Sequence, residues 1–241
     1  MRAQTRHQLK QDRFRGATLE VADKTVHWSV EHKSKIVAGA IVLLVIAGAV
    51  AGGWYYLNIQ DEKASGALGQ AIRTWETPVR PAGTAAEPDV PSFASAKERA
   101  TEAQKQFQAI VDQYPHTRSG DMARYFLGLS AADLGDYAQS QRELQALAAS
   151  RNQDIASLAK MALASVYRKQ GHNKDAIEIY KALADKPTST VSKAAAQLQL
   201  AATLLADMQP LEAKRIYEQV QKENPATPAA QIAAKALDDL K

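Results

Sequence analysis

The chain contains no cysteine. Disulfides, thiolate metal sites, a cysteine nucleophile and a lipidated cysteine are excluded, so any exported part must be held by its core alone. Aromatic residues make up only 6% of the chain, and four of its 9 prolines (Pro78, Pro81, Pro88 and Pro91) crowd into one short stretch. Histidine is sparse. His7, His27, His32, His116 and His172 are scattered, and none is paired at the i, i+4 spacing of a helical metal site. There is no P-loop, no nucleophile elbow and no dinucleotide-binding glycine pattern. The acidic pairs Asp61-Glu62 and Asp238-Asp239 read as solvated charge near helix ends. The expectation is a protein that is not an enzyme, with no catalytic residue, cofactor or metal.

Charge is also missing from Ile36 to Leu57, a run of 22 residues with no proline. As an α-helix it would be about 33 Å long, against a hydrocarbon core of about 30 Å. Ten of the 22 are Ile, Leu or Val, each contributing roughly −0.3 to −0.6 kcal/mol to insertion. Trp54, Tyr55 and Tyr56 cluster at one end, where aromatic rings suit the headgroup layer, and Lys33 and Lys35 stand at the other. The run reads as a single transmembrane helix. Ala49-Val50-Ala51 has the look of a signal-peptide cleavage site, but signal h-regions span only about 7–15 residues. This run is longer, which favours an uncleaved anchor.

Residues 1–35 carry eight Lys/Arg against four acids, whereas the 20 residues after the run carry only Lys63 and Arg73. Cationic segments stay on the cytoplasmic side, so the tail is expected inside and residues 58–241 outside. Of the 30 basic and 26 acidic residues in the chain, 22 of each then fall in the exported part. The pI near 9.1 is thus a topology signal, not a nucleic-acid footprint, which needs clustered basic surface.

Along the chain the organisation is a basic tail (1–35), the span (36–57), a helix over 58–76, a proline-rich linker (77–92), a dense helical region (93–225) and a final helix (226–241). In the tail, Val21, Thr25, Trp28 and His32 fall at helical spacing, which permits a juxtamembrane helix, but a solvated topogenic tail is the favoured reading. Within the span, Gly48 and Gly52 form a GxxxG that permits close approach of two such helices, a route to a homo-oligomer. Ala64, Leu68, Ala71, Ile72 and Trp75 share one face of the 58–76 helix. Residues 77–92 lack apolar periodicity and read as an extended or mobile linker.

From Phe93 the chain repeats itself. Ser95 with Glu98 opens it as a capping box. Ala103-x3-Phe107, Ser140-x3-Leu144, Ala176-x3-Tyr180 and Ala213-x3-Tyr217 align at intervals of 37, 36 and 37 residues. Ahead of the last three stand Leu127-Gly128, Leu163-Ala164 and Leu200-Ala201. In each pair the small residue lets the first (A) helix of a hairpin approach the second (B). Gly135 and Gly171 close the A helices with residues that tolerate positive φ, and Met208-Gln209-Pro210 takes their place in the third. Thr227-Pro228 predicts the N-terminus of the last helix, with Ile232, Ala236, Leu237 and Leu240 inward as a cap on the stack.

Leu127-Gly128, Leu134-Gly135-Asp136-Tyr137 and the small, aromatic and proline positions after them resemble tetratricopeptide repeats over residues 95–225, with residues 61–75 as a candidate first A helix. The fold expected is all-α: one N-terminal transmembrane helix followed by a tetratricopeptide-repeat-like α-solenoid. The layout of basic tail, one span and exported repeats resembles the bacterial ancillary translocon-subunit family. That resemblance implies a periplasmic-side adaptor binding exported polypeptides, near the Sec translocon or periplasmic chaperones. A structural scaffold in cell-division or outer-membrane assembly machinery is the alternative. By the repeat register, the protein-binding groove would be lined by Met122, Tyr125, Leu129, Leu158, Met161, Ser165, Arg168, Lys169, Leu198, Ala202 and Leu205.

Overall fold

The structure, a computed structural model, describes residues 32–85 and 91–240. The tail, with the helical spacing of Val21, Thr25 and Trp28, lies outside the described residues. Among these the protein is all-α, with nine helices and no strand: α1 (Lys33–Glu76), α2 (Ala96–Gln113), α3 (Arg118–Asp133), α4 (Tyr137–Ala148), α5 (Gln153–Lys169), α6 (Asn173–Asp185), α7 (Lys193–Ala206), α8 (Pro210–Glu223) and α9 (Pro228–Asp238).

The chain divides into two compact units, Met1–Tyr56 and Leu57–Lys241, and the boundary falls inside α1. In the first unit every residue from Val37 to Tyr56 is exposed. This helix is long and apolar enough to cross a membrane. A methyl group added at Gly48 or Gly52 would meet nothing.

In the second unit α1 turns amphipathic. Ala64 and Ala71 are fully buried, and Ala67, Leu68, Ile72 and Trp75 pack half-buried on Ala103, Phe107, Ile110, Val111, Ala123 and Leu127. Residues 57–76 thus supply the A helix of a first hairpin whose B helix is α2. Polar contacts fix the register: Thr74 Oγ1 donates to Gln106 Oε1 at 3.0 Å, and Asp61 Oδ1 accepts from the Ser119 amide at 2.8 Å. Asp61, expected as solvated charge, instead satisfies one of the orphan N–H groups in the first turn of α3, where a carboxylate also suits the helix dipole.

The proline-rich stretch has its two ends fastened together. Arg80 N donates to Phe93 O at 3.0 Å and Phe93 N to Pro78 O at 3.0 Å. Arg99 reaches over the Trp75 ring, 5.9 Å from its centroid, and donates to Thr77 O at 3.3 Å.

Later helices follow as A–B hairpins, each packed on the next in chain order. Side-chain caps open several of them, including the two expected at Ser95 and Thr227: Ser95 accepts from the Glu98 amide, Thr117 from Gly120, Asp136 from Gln139, Ser192 from Ala195 and Thr227 from Ala230. The Glu98 carboxylate reaches back to the Ala94 amide at 3.0 Å, one residue earlier than a capping box would place it. Ala103, Ser140, Ala176 and Ala213 are all fully buried, as are Ala164 and Ala201. Ser140 carries a hydroxyl with no partner there. At Gly128 a Cβ would stand 2.7 Å from Leu144 Cγ, so only glycine lets α3 and α4 close at this depth. Gly120 is equally constrained, because a Cβ there would strike the Tyr114 carbonyl. In α9, Ala230 and Ala233 face inward, while Ile232, expected on the inner face, is 57% exposed.

At the hairpin turns Gly135 and Gly171 adopt φ of 82° and 80°, and Met208 adopts 59° at the same place between α7 and α8. Two outcomes follow for thermal melting of the protein. Gly128→Leu lowers stability by roughly 1–3 kcal/mol through overpacking against Leu144, and an unchanged melting temperature contradicts the register. Met208→Gly removes left-handed strain from a side chain that is 86% exposed, and raises stability by about 0.5–1.5 kcal/mol. A loss of stability there would show that the Met208 side chain is needed.

Candidate functional site

The positions expected to line a groove come from α3, α5 and α7, the A helices of the second, third and fourth hairpins. None of the eleven is fully buried and all but Lys169 are half-buried. Met122, Tyr125, Leu129 and Leu158 lie against the cluster of Leu144, Leu147, Ile155 and Leu163. Leu158, Met161, Leu198 and Leu205 lie against the cluster of Tyr180, Leu200, Leu204 and Tyr217. Leu158 touches both clusters and so joins consecutive hairpins. Ser165, Arg168 and Ala202 complete the half-buried set. These side chains have an inward half that packs and an outward half that meets solvent, which is the geometry a sequence-tolerant contact surface needs.

Tyr125 has a further connection. Its ring meets Phe126 edge-on at 5.5 Å, Phe126 stacks on Phe107 at 5.3 Å, and Phe107 meets Trp75 edge-on at 6.4 Å. One end of this series is a candidate groove residue, the other end belongs to α1, and the fully buried Phe107 lies between them. Phe126 was not singled out by the repeat pattern, because the same register holds Ala162 in α5 and Gln199 in α7.

The electrostatics divide the two cations in the last turn of α5. Lys169 Nζ lies 3.4 Å from Asp133 Oδ1, tying α5 to α3. Arg168 has no carboxylate partner among the described residues. Its charge acts on the hydroxyls of Tyr180 and Tyr217. Burial raises both phenols above the ordinary tyrosine value, and the guanidinium opposes that rise. Burial likewise raises Tyr125. Elsewhere Lys181–Glu212 at 3.3 Å links the third and fourth hairpins, and Lys193–Glu223 at 2.8 Å joins the two helices of the fourth. These pairs are exposed and screened by solvent, and add little to stability.

A model of the tetratricopeptide repeat-like domain matches residues 26–186. The chain belongs to that family. No curated protein matches it. The match covers α1 through α6 and so includes the apolar helix as well as three hairpins. Tetratricopeptide repeat-like domains are protein-binding modules, typically without catalysis, and nothing among the described residues points to an enzyme. Protein partners in general are what this domain implies. The family's first A helix is here the continuation of an apolar helix.

The packing and lining roles separate by mutation. Leu158→Ala removes contacts in two clusters and lowers stability by about 1–2 kcal/mol, less than a fully buried leucine loses. Lys169→Ala changes it by under about 0.5 kcal/mol. Chemical denaturation of the two variants checks this. Equal losses would mean that the A-helix surface is organised by its charges.

Proposed function

We propose that the chain is a membrane-anchored adaptor whose repeats, on the periplasmic side of the inner membrane, bind exported polypeptides, in an ancillary role at the Sec translocon or with periplasmic chaperones. The observation that carries this reading is the row of half-buried apolar side chains on α3, α5 and α7. A repeat solenoid presents its A helices along an extended concave surface. Methionine and tyrosine there adapt to varied side chains. The balance of 22 basic and 22 acidic residues beyond residue 35 keeps clients from being selected by overall sign. The anchor is the exposed apolar part of α1, and the eight Lys/Arg of the tail hold it N-terminus inward. Anchoring raises the effective concentration of the repeats at any neighbouring channel. Close approach at Gly48 and Gly52 would pair two anchors.

A scaffold role in an envelope assembly is the second reading. It is favoured by the hollow between α8 and α9, lined by Lys214, Glu218, Gln221, Leu237 and Leu240, and by the exposed Leu211 and Ile232 nearby in sequence. Photo-crosslinkers at Tyr125 and Leu198, against Lys214 and Lys235, separate the two in intact membranes. Capture of unfolded secretory polypeptide by the first pair is expected. Capture by the second pair alone transfers the function to the scaffold reading.

Orientation has its own check. With both ends tagged, protease added to spheroplasts removes the C-terminal tag and spares the N-terminal one. A soluble processed domain starting near Gly52 overturns the anchor.

A further inference from the structure

Each B helix presents an outer stripe to the hairpin that follows it. The stripe begins one residue after the buried small position and recurs one turn later. In α2 it is Gln104, which donates to Gln139 of α4 at 3.1 Å, and Gln108, which accepts from that same side chain at 3.5 Å. In α4 it is Gln141, which donates to Gln170 at the end of α5, and Gln145, which donates to the Tyr167 hydroxyl at 3.2 Å. In α6 it is Ile177, which is 7% exposed, and Lys181, which pairs with Glu212 of α8 at 3.3 Å.

At the same register α8 carries Lys214 and Glu218. Both are exposed, and neither has a hydrogen bond or ion pair among the described residues. With Gln221, and with Leu237 and Leu240 of α9, they line a hollow of about 610 Å³. Asp238, the remaining charged group of that lining, is not free. Leu211, one turn before Lys214 on the same face of α8, is 77% exposed. A stripe that α2, α4 and α6 each use as an interface is thus uncovered in α8, with apolar surface beside it.

The order of charges along the stripe says what fits it. Lys214 and Glu218 are one helical turn apart and opposite in sign. An identical stripe laid alongside in the reverse direction sets Lys214 against the partner's Glu218 and Glu218 against the partner's Lys214. The same operation sets Leu211 against the partner's Gln221. A two-fold interface requires this self-complementarity, because every contact across it is made twice with the roles exchanged. A stripe of one sign would repel its own copy.

We infer that the exposed stripe of α8 is the seat of a second copy of this chain, with the two α8 helices antiparallel about a point midway between Lys214 and Glu218. Leu211, Leu237 and Leu240 supply the apolar part of the contact. The pairing uses neither the A-helix face nor Gly48 and Gly52, so it goes beyond the groove reading and stands without it.

The absence of cysteine makes the test clean. Full chain carrying Leu211→Cys and full chain carrying Gln221→Cys are reconstituted together in phosphatidylcholine liposomes and treated with a short bismaleimide. A mixed dimer is expected, several-fold above what either variant gives alone. Lys214→Glu added to both chains lowers capture by about tenfold or more, and so does Glu218→Lys, because like charges then face each other. When one chain carries Lys214→Glu and the other Glu218→Lys, an all-acidic stripe meets an all-basic one and capture returns. Melting temperatures close to the parent's, expected because these side chains are exposed, separate loss of contact from loss of fold. Capture that is equal for mixed and single variants places the pairing elsewhere, in the spans for example, and overturns the inference. Capture that is absent, or indifferent to charge reversal, overturns it too. In intact membranes, adducts of the same cysteines with a different protein in place of a second copy assign the seat to a foreign partner, with the same consequence.

Discussion

The repeats depend on the burial of one phenylalanine. Phe107 is fully buried, with Trp75 of α1 on one side and Phe126 of α3 on the other. α2 alone cannot cover it. The cover comes from the part of α1 beyond Leu57, which buries Ala64 and Ala71 in the same cluster, together with Ala123 and Leu127 of α3. A fully buried aromatic side chain stabilises by roughly 1.5–3 kcal/mol from area alone, and its loss would leave Ile110 and Val111 facing water as well. The first hairpin is therefore complete only because an apolar helix continues as an amphipathic one.

The same constraint recurs through the stack with different residues. Each hairpin needs a small side chain on both helices, met by Gly128 with Ser140, Ala164 with Ala176, and Ala201 with Ala213. Where the fit is tightest, at Gly128, the opposing residue is Leu144 and not an aromatic. Tyr180 and Tyr217 take the equivalent register where alanine gives slightly more room. Their longer side chains carry hydroxyls into the interior, and that of Tyr180 has no hydrogen-bond partner there.

Much of this was legible in the sequence because it is local or periodic. N-caps depend on one residue, so Ser95 and Thr227 could be read directly. Small positions recur at a fixed interval, so Ala164 and Ala201 could be aligned without coordinates. What escaped depends on distant or main-chain contacts. Asp61 caps a helix 58 residues away, and nothing adjacent to it in sequence signals that. The ends of the proline-rich stretch are joined by backbone groups at Pro78, Arg80 and Phe93, which any side chain could accompany. Ile232 was placed inward on apolarity, but alanines at Ala230 and Ala233 permit the closer approach and take the inner face. The lining positions could be assigned from the repeat register. The difference between Arg168 and Lys169 could not, because it lies in which one meets Asp133.

The central claim is that residues 57–76 belong energetically to the repeats. Amide hydrogen exchange of the full chain in nanodiscs, followed by mass spectrometry, measures this directly, since protection reports the free energy of local opening. The account predicts that residues 61–76 open no more readily than α2 and α3. Fast exchange across 61–76 with full protection across Ala96–Gln113 and Arg118–Asp133 would contradict it.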